Sequence, residues 1–101
     1  MQPFITAKQA EIVALCRTHH VRRFSVFGSA VRDDFNPAIS DIDVRVEFDD
    51  NIEDSVKNYF DLQDKLIELF GREVDILSSR EIENPFLKKI IERSQVTLYA
   101  A

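Results

Sequence analysis

The sequence predicts one α/β domain, built as a small sheet with helices packed largely on one face. Three observations carry that prediction. A chain of 101 residues can bury one core and not two, so residues 1–101 are expected to form a single domain. Residues 41–48 alternate strictly between apolar and charged side chains. Segments of helical period alternate with short runs of strand formers along the rest of the chain. Hydrophobic residues at 45% and charged residues at 31% fit a soluble globular protein.

Taken in order, the first element is a helix opening at Thr6. Thr6 and Gln9 have capping-box spacing, and Ile12, Val13, Leu15 and Cys16 follow at helical intervals. Arg17, His19 and His20 suit the negative pole at its end, and both histidines are expected at the surface. Phe24–Phe27 reads as a strand that stops at Gly28, and Ala30–Arg32 as a helical turn or two. The run Asp33–Ser40, with Asn36-Pro37, is a loop. In the strand Asp41–Phe48, Ile42, Val44, Val46 and Phe48 share one face, while Asp41, Asp43, Arg45 and Glu47 share the other. Asp49-Asp50-Asn51 turns the chain.

A second helix is expected from about Asp54 to Phe70, stopped by Gly71. Its apolar side comprises Val56, Tyr59, Phe60, Leu62, Leu66, Ile67, Leu69 and Phe70. Val74–Leu77 is a third strand. Asn84-Pro85 starts a third helix, with Phe86, Leu87, Ile90 and Ile91 as its inner face and Lys88, Lys89 and Arg93 in water. Val96–Tyr99 closes the chain as a strand or an extended tail. Most of the 8 phenylalanines belong in the core; any exposed near Phe4, Phe35 or the chain end would mark a partner surface.

The charged face of the middle strand carries the chemistry. Asp41 and Asp43 leave one face of a strand about 7 Å apart, where like charges repel unless a cation lies between them. Mg²⁺ suits such a pair, because it takes one or two carboxylates together with substrate phosphates. Asp75 lies in the next strand, and if the two strands are neighbours all three carboxylates converge as phosphoryl transfer requires. Gly28 allows a tight turn and close approach to a phosphate. The N–H groups at the following helix start, the Ser29 hydroxyl and Arg32 would then face an anion.

These residues carry a resemblance. Gly28-Ser29-Ala30-Val31-Arg32, then Ser40-Asp41-Ile42-Asp43-Val44, then Val74-Asp75-Ile76-Leu77 resemble the minimal nucleotidyltransferases, which share the fold of polymerase β. The resemblance spans most of the chain and implies the nucleotidyltransferase fold, a small mixed sheet. It implies that Gly28 and Ser29, with Arg32 and Ser40, bind the nucleotide. It also implies that Asp41, Asp43 and Asp75 are the catalytic carboxylates and the ligands of one or two Mg²⁺ ions. The implied reaction is attack of a hydroxyl on the α-phosphate of a nucleoside triphosphate. Members of this family often serve as antitoxins of small helical HEPN toxins, some transferring AMP from ATP to the toxin and others acting by binding. A catalytically silent module that masks its partner is therefore the alternative. It gains from Asp33 and Asp34 beside the phosphate site, where the family commonly has Arg-Gly in place of Arg32-Asp33. Arg45 is a further departure, expected to pair with a carboxylate or to contact phosphate.

Other classes are disfavoured. With 13 Lys+Arg against 18 Asp+Glu the net charge is −5, a poor match to nucleic-acid backbones. No apolar run reaches membrane length, and MQPFITAKQA does not read as a signal peptide. A single cysteine, Cys16, suits a reducing cytoplasm and is expected to be a core residue. A hetero-oligomer with a protein partner follows from the resemblance.

Overall fold

The computed structural model describes residues 1–32, 35–36, 38–50, 52–79 and 82–101. The expectations placed on Asp33, Asp34, Pro37 and Asn51 lie outside the described residues. A short helix α1 (Pro3–Thr6) leads into α2 (Gln9–Thr18), followed by β1 (Val21–Phe27), a 3₁₀ turn (Gly28–Val31) and β2 (Ile42–Phe48). Then come α3 (Ser55–Phe70), β3 (Val74–Ser78), α4 (Pro85–Ser94) and β4 (Val96–Ala100). The four strands form one mixed sheet in the order β3-β2-β1-β4. β1 runs antiparallel to both β2 and β4, while β2 and β3 run parallel. The terminal segment is thus an edge strand and not a tail.

The core forms on the face of the sheet that β2 turns inward. Ile42, Val44 and Val46 are buried there with Phe24 and Val26 of β1, Ile12 and Cys16 of α2, and Leu62 and Leu66 of α3. Burial pushes the Cys16 thiol up to about 12, so at neutral pH it is an inert packing group. The edge strand β3 is secured from α3: the Tyr59 hydroxyl donates to the Ile76 carbonyl at 2.7 Å, and Gln63 Nε2 donates to the Val74 carbonyl at 3.0 Å. These are carbonyls left over by the parallel pairing, so the contacts both satisfy backbone acceptors and fix the strand that carries Asp75.

Several sequence expectations fail here for identifiable reasons. Thr6 and Gln9 form no capping box. Thr6 closes α1 by donating its hydroxyl to the Pro3 carbonyl, and Gln9 Nε2 reaches the Leu98 carbonyl at the far end of the chain. His19 is buried, with Nδ1 2.8 Å from the Leu15 carbonyl and Nε2 2.6 Å from Asp61 Oδ2. Phe35 is buried and Phe4 half-buried, their rings 5.5 Å apart, with the Arg72 guanidinium stacked near both. The exposed phenylalanines are instead Phe60 and Phe86. On α3 the expected apolar side is only partly inward, since Val56 and Phe60 are exposed. On α4 the failure is larger: of the four residues expected inside, only Ile91 is buried.

Candidate nucleotidyl-transfer site

One end of the sheet gathers the predicted residues. Parallel register places Asp43 of β2 directly beside Asp75 of β3, and antiparallel register places Phe27 of β1 on its other side. The condition set by the sequence, that the two carboxylate strands be neighbours, is met. Asp41 precedes β2, where the Ile42 N–H donates to the Glu73 carbonyl at 3.1 Å. Gly28 follows Phe27 immediately, so the glycine turn and the carboxylates meet at the same edge.

Gly28 is required there twice over. Its φ is +74°, a region that costs an L-residue with a side chain. A Cβ at this position would stand 2.6 Å from Asp43 Oδ2. The carboxylate thus fills the volume that any other residue would claim. Asp43 is held above the ordinary carboxylate range by burial first, then by the charges of Asp75 and Asp41, with Arg32 pulling the other way. That ordering places four predicted residues within electrostatic reach of one another.

The charge surplus around Asp43 suits a divalent cation, and all the donors are hard oxygens. Among the described residues no three carboxylate, histidine or cysteine side chains form a ready-made cage.

Ser29, Ala30 and Val31 complete a single 3₁₀ turn, not an α-helix. The turn offers individual N–H groups and the Ser29 hydroxyl, not the N-terminus of a longer helix. The turn is braced by a contact invisible in the sequence: the Gln2 N–H donates to the Ala30 carbonyl at 3.0 Å, and Gln2 Nε2 to the Arg32 carbonyl at 3.1 Å. Thirty residues of separation leave no local signal for it.

Two predicted residues have structural engagements. The Ser40 hydroxyl accepts from the Asn36 N–H at 3.0 Å, and the Ser40 N–H donates to the Asn36 carbonyl at 2.8 Å, closing the loop before Asp41. Arg45 is buried and points away from the carboxylate trio: its Nε donates to Ser79 Oγ at 3.2 Å and its Nη1 to Gln95 Oε1 at 3.3 Å. The carboxylate it pairs with is Glu92 of α4, at 3.6 Å, so it anchors a helix and does not quiet the site.

Residues 10–97 match the family profile described as the nucleotidyltransferase domain. A Methanocaldococcus jannaschii protein named "Putative protein adenylyltransferase" is 36% identical over 78 residues, covering 77% of each chain. A solved structure described as a "putative minimal nucleotidyltransferase" superposes with a TM-score of 0.78 at 29% identity, covering 91% of this chain and 90% of that one. The MNT antitoxin complex with the tri-AMPylated Shewanella oneidensis HEPN toxin gives a TM-score of 0.66 at 19% identity, a likeness of fold, over 95% of this chain and 72% of the other. A parallel pair of carboxylate strands closed by a glycine turn, on a chain with these likenesses, leads to one assignment: the chain belongs to the nucleotidyltransferase domain family.

Proposed function

We propose that the protein transfers a nucleoside monophosphate, AMP from ATP, to a hydroxyl of a protein partner, as the antitoxin of a HEPN–MNT pair. The observation that carries this reading is the Asp43–Asp75 register beside a glycine whose missing Cβ is replaced by the Asp43 carboxylate. The relatives named for protein adenylylation and the antitoxin complexes of the same fold support the choice of acceptor and partner.

Asp41 and Asp43, with Asp75 alongside, would hold Mg²⁺, which when bound neutralises triphosphate charge and polarises the α-phosphate. The remaining work falls to the chain. Gly28 and Ser29 offer N–H and hydroxyl donors to the β- and γ-phosphates, and Arg32 adds a guanidinium to the same anion. Asp75 takes the proton of the attacking hydroxyl. The acceptor oxygen then bonds to the α-phosphorus, the bond to the β-phosphate oxygen breaks, and pyrophosphate leaves. The free thiol of Cys16 supports a reducing, cytoplasmic setting, and among the described residues no helix is long and apolar enough to cross a membrane.

The test mixes the protein with labelled ATP, Mg²⁺ and the small helical product of the adjacent gene. Label on that partner, lost in Asp41→Ala and Asp43→Ala, is the expected result. Neutralisation of the partner that survives both changes would replace transfer by masking.

A further inference from the structure

Helix α4 presents an apolar ridge that the fold does not cover. Phe86 is 79% exposed, Ile90 61% and Leu87 44%; Phe86 and Ile90 stand one turn apart with Leu87 beside them. The helix is not loose. Asn84 caps it through the Phe86 and Leu87 N–H groups, Ile91 is buried beneath it, and Glu92 pairs with Arg45 of β2. An apolar ridge held rigid and left bare marks an interaction surface.

Two further features say what covers it. Lys88, Lys89 and Arg93 are exposed on the same helix, while Glu92, its single acidic residue, is taken by Arg45. Among the described residues, Lys89 and Arg93 border the ridge at helical spacing with no acidic partner, on a chain whose net charge is −5. In addition, α4 packs against the Gly28–Val31 turn, which places the helix at the end of the sheet that carries Gly28 and Asp43. On the transfer reading, a molecule seated on α4 would lie near that turn.

We infer that the α4 ridge docks the protein acceptor, through an apolar groove on that partner bordered by carboxylates. The inference rests on the transfer reading above and names the surface that presents the acceptor hydroxyl to the site.

The experiment uses the full chain and the HEPN-type product of the adjacent gene as probe. Phe86→Asp combined with Ile90→Asp alters exposed positions, and an unchanged thermal melt confirms folding. This double variant should weaken the dissociation constant for the probe by about 30-fold or more, as loss of hot-spot side chains does. The KM for the acceptor should rise in step while the KM for ATP stays put. Lys88→Glu with Lys89→Glu should weaken binding by roughly 5–10-fold and flatten its salt dependence. Val56→Asp with Phe60→Asp, on α3, should change neither by more than about twofold.

Binding of the ridge variant at wild-type strength overturns the inference. So does a wild-type dimer that the ridge variant dissolves, or wild-type adsorption to phosphatidylserine vesicles abolished by the ridge variant while probe binding persists. Failure of the transfer reading looks different: the wild type then labels no partner, and the ridge stands or falls on the dissociation constants alone.

Discussion

The two ends of the sheet differ in the way that separates chemistry from volume. At one end Asp43 stands beside Asp75 in register and packs against Gly28, with Asp41 and Asp75 adding negative charge around it. At the other, about 17 Å away along β2, a cleft of about 860 Å³ opens between the end of β2, the end of β3 and the start of α3. Phe48, Val56, Tyr59 and Phe60 supply its apolar wall, and Glu47, Asp49 and Asp50 its acidic margin. The opening lies away from the carboxylate end where transfer is proposed. Volume accumulates where side chains fall short of one another. Reactivity accumulates where backbone register forces like charges together, and parallel pairing of β2 and β3 does that at their N-terminal end alone.

The sharpest way to break this contrast is to strip each end in turn. Asp41→Ala or Asp43→Ala should reduce nucleotidyl transfer by about 10³-fold, the scale of several kcal/mol of lost charge stabilisation. Tyr59→Phe at the cleft should leave transfer within a few-fold, because Gln63 still holds β3 through the Val74 carbonyl, next to Asp75. Equal losses at both ends would dissolve the distinction, as radiolabel transfer would reveal.

The glycines sharpen it next. Gly28→Ala must accept both φ +74° and a clash with Asp43 Oδ2, so it should cost about 2–3 kcal/mol and also weaken nucleotide affinity. Gly71→Ala meets nothing within 4 Å and carries only the φ penalty, about 1 kcal/mol, with affinity untouched. Denaturant melts and nucleotide titration would separate the two.

A subtler effect follows from the crowding around Asp43. Its folded carboxyl titrates above the unfolded value, so its ionised form costs stability: the cost is absent at low pH and grows as pH rises through the folded value. Asp43→Asn removes it. The variant should melt about 2–4 °C above the wild type at pH 7, a gain that vanishes below pH 4. A wild-type protein more stable than the variant at neutral pH would contradict the account.

The smallest effect belongs to the far end, where His19 holds Asp61. Asp61 is lowered first by that hydrogen bond, then helped by Lys65, so its contribution is present above the unfolded carboxylate value and lost as pH falls through the folded one. Asp61→Asn should depress the melting temperature slightly near pH 6 and not at all in strong acid. Transfer activity should not notice.

What could be read locally was read well. The alternation of residues 42–48, the Asn84 cap and the Gly71 stop depend on neighbours a few positions away. The misreadings share a different cause. His19 is buried because Asp61 stands 42 residues further on, and Gln9 serves Leu98 across 89 residues. Arg45 looked like a member of the site because it shares a strand face with Asp43, yet Glu92 and Gln95 draw it elsewhere. The ridge of α4 looked like core because amphipathic period reports that a face is apolar, not what lies against it.

The amino-acid sequence by itself determined which residue types are capable of the chemistry and which face of β2 carries them, since pleat and periodicity are properties of a few consecutive residues. Tertiary structure alone decided that β3 pairs with β2 in parallel, that Asp75 arrives beside Asp43, and that Gly28 closes against the same carboxylate. Those outcomes depend on contacts distant in sequence, chosen by the burial of the whole core rather than by any segment of it.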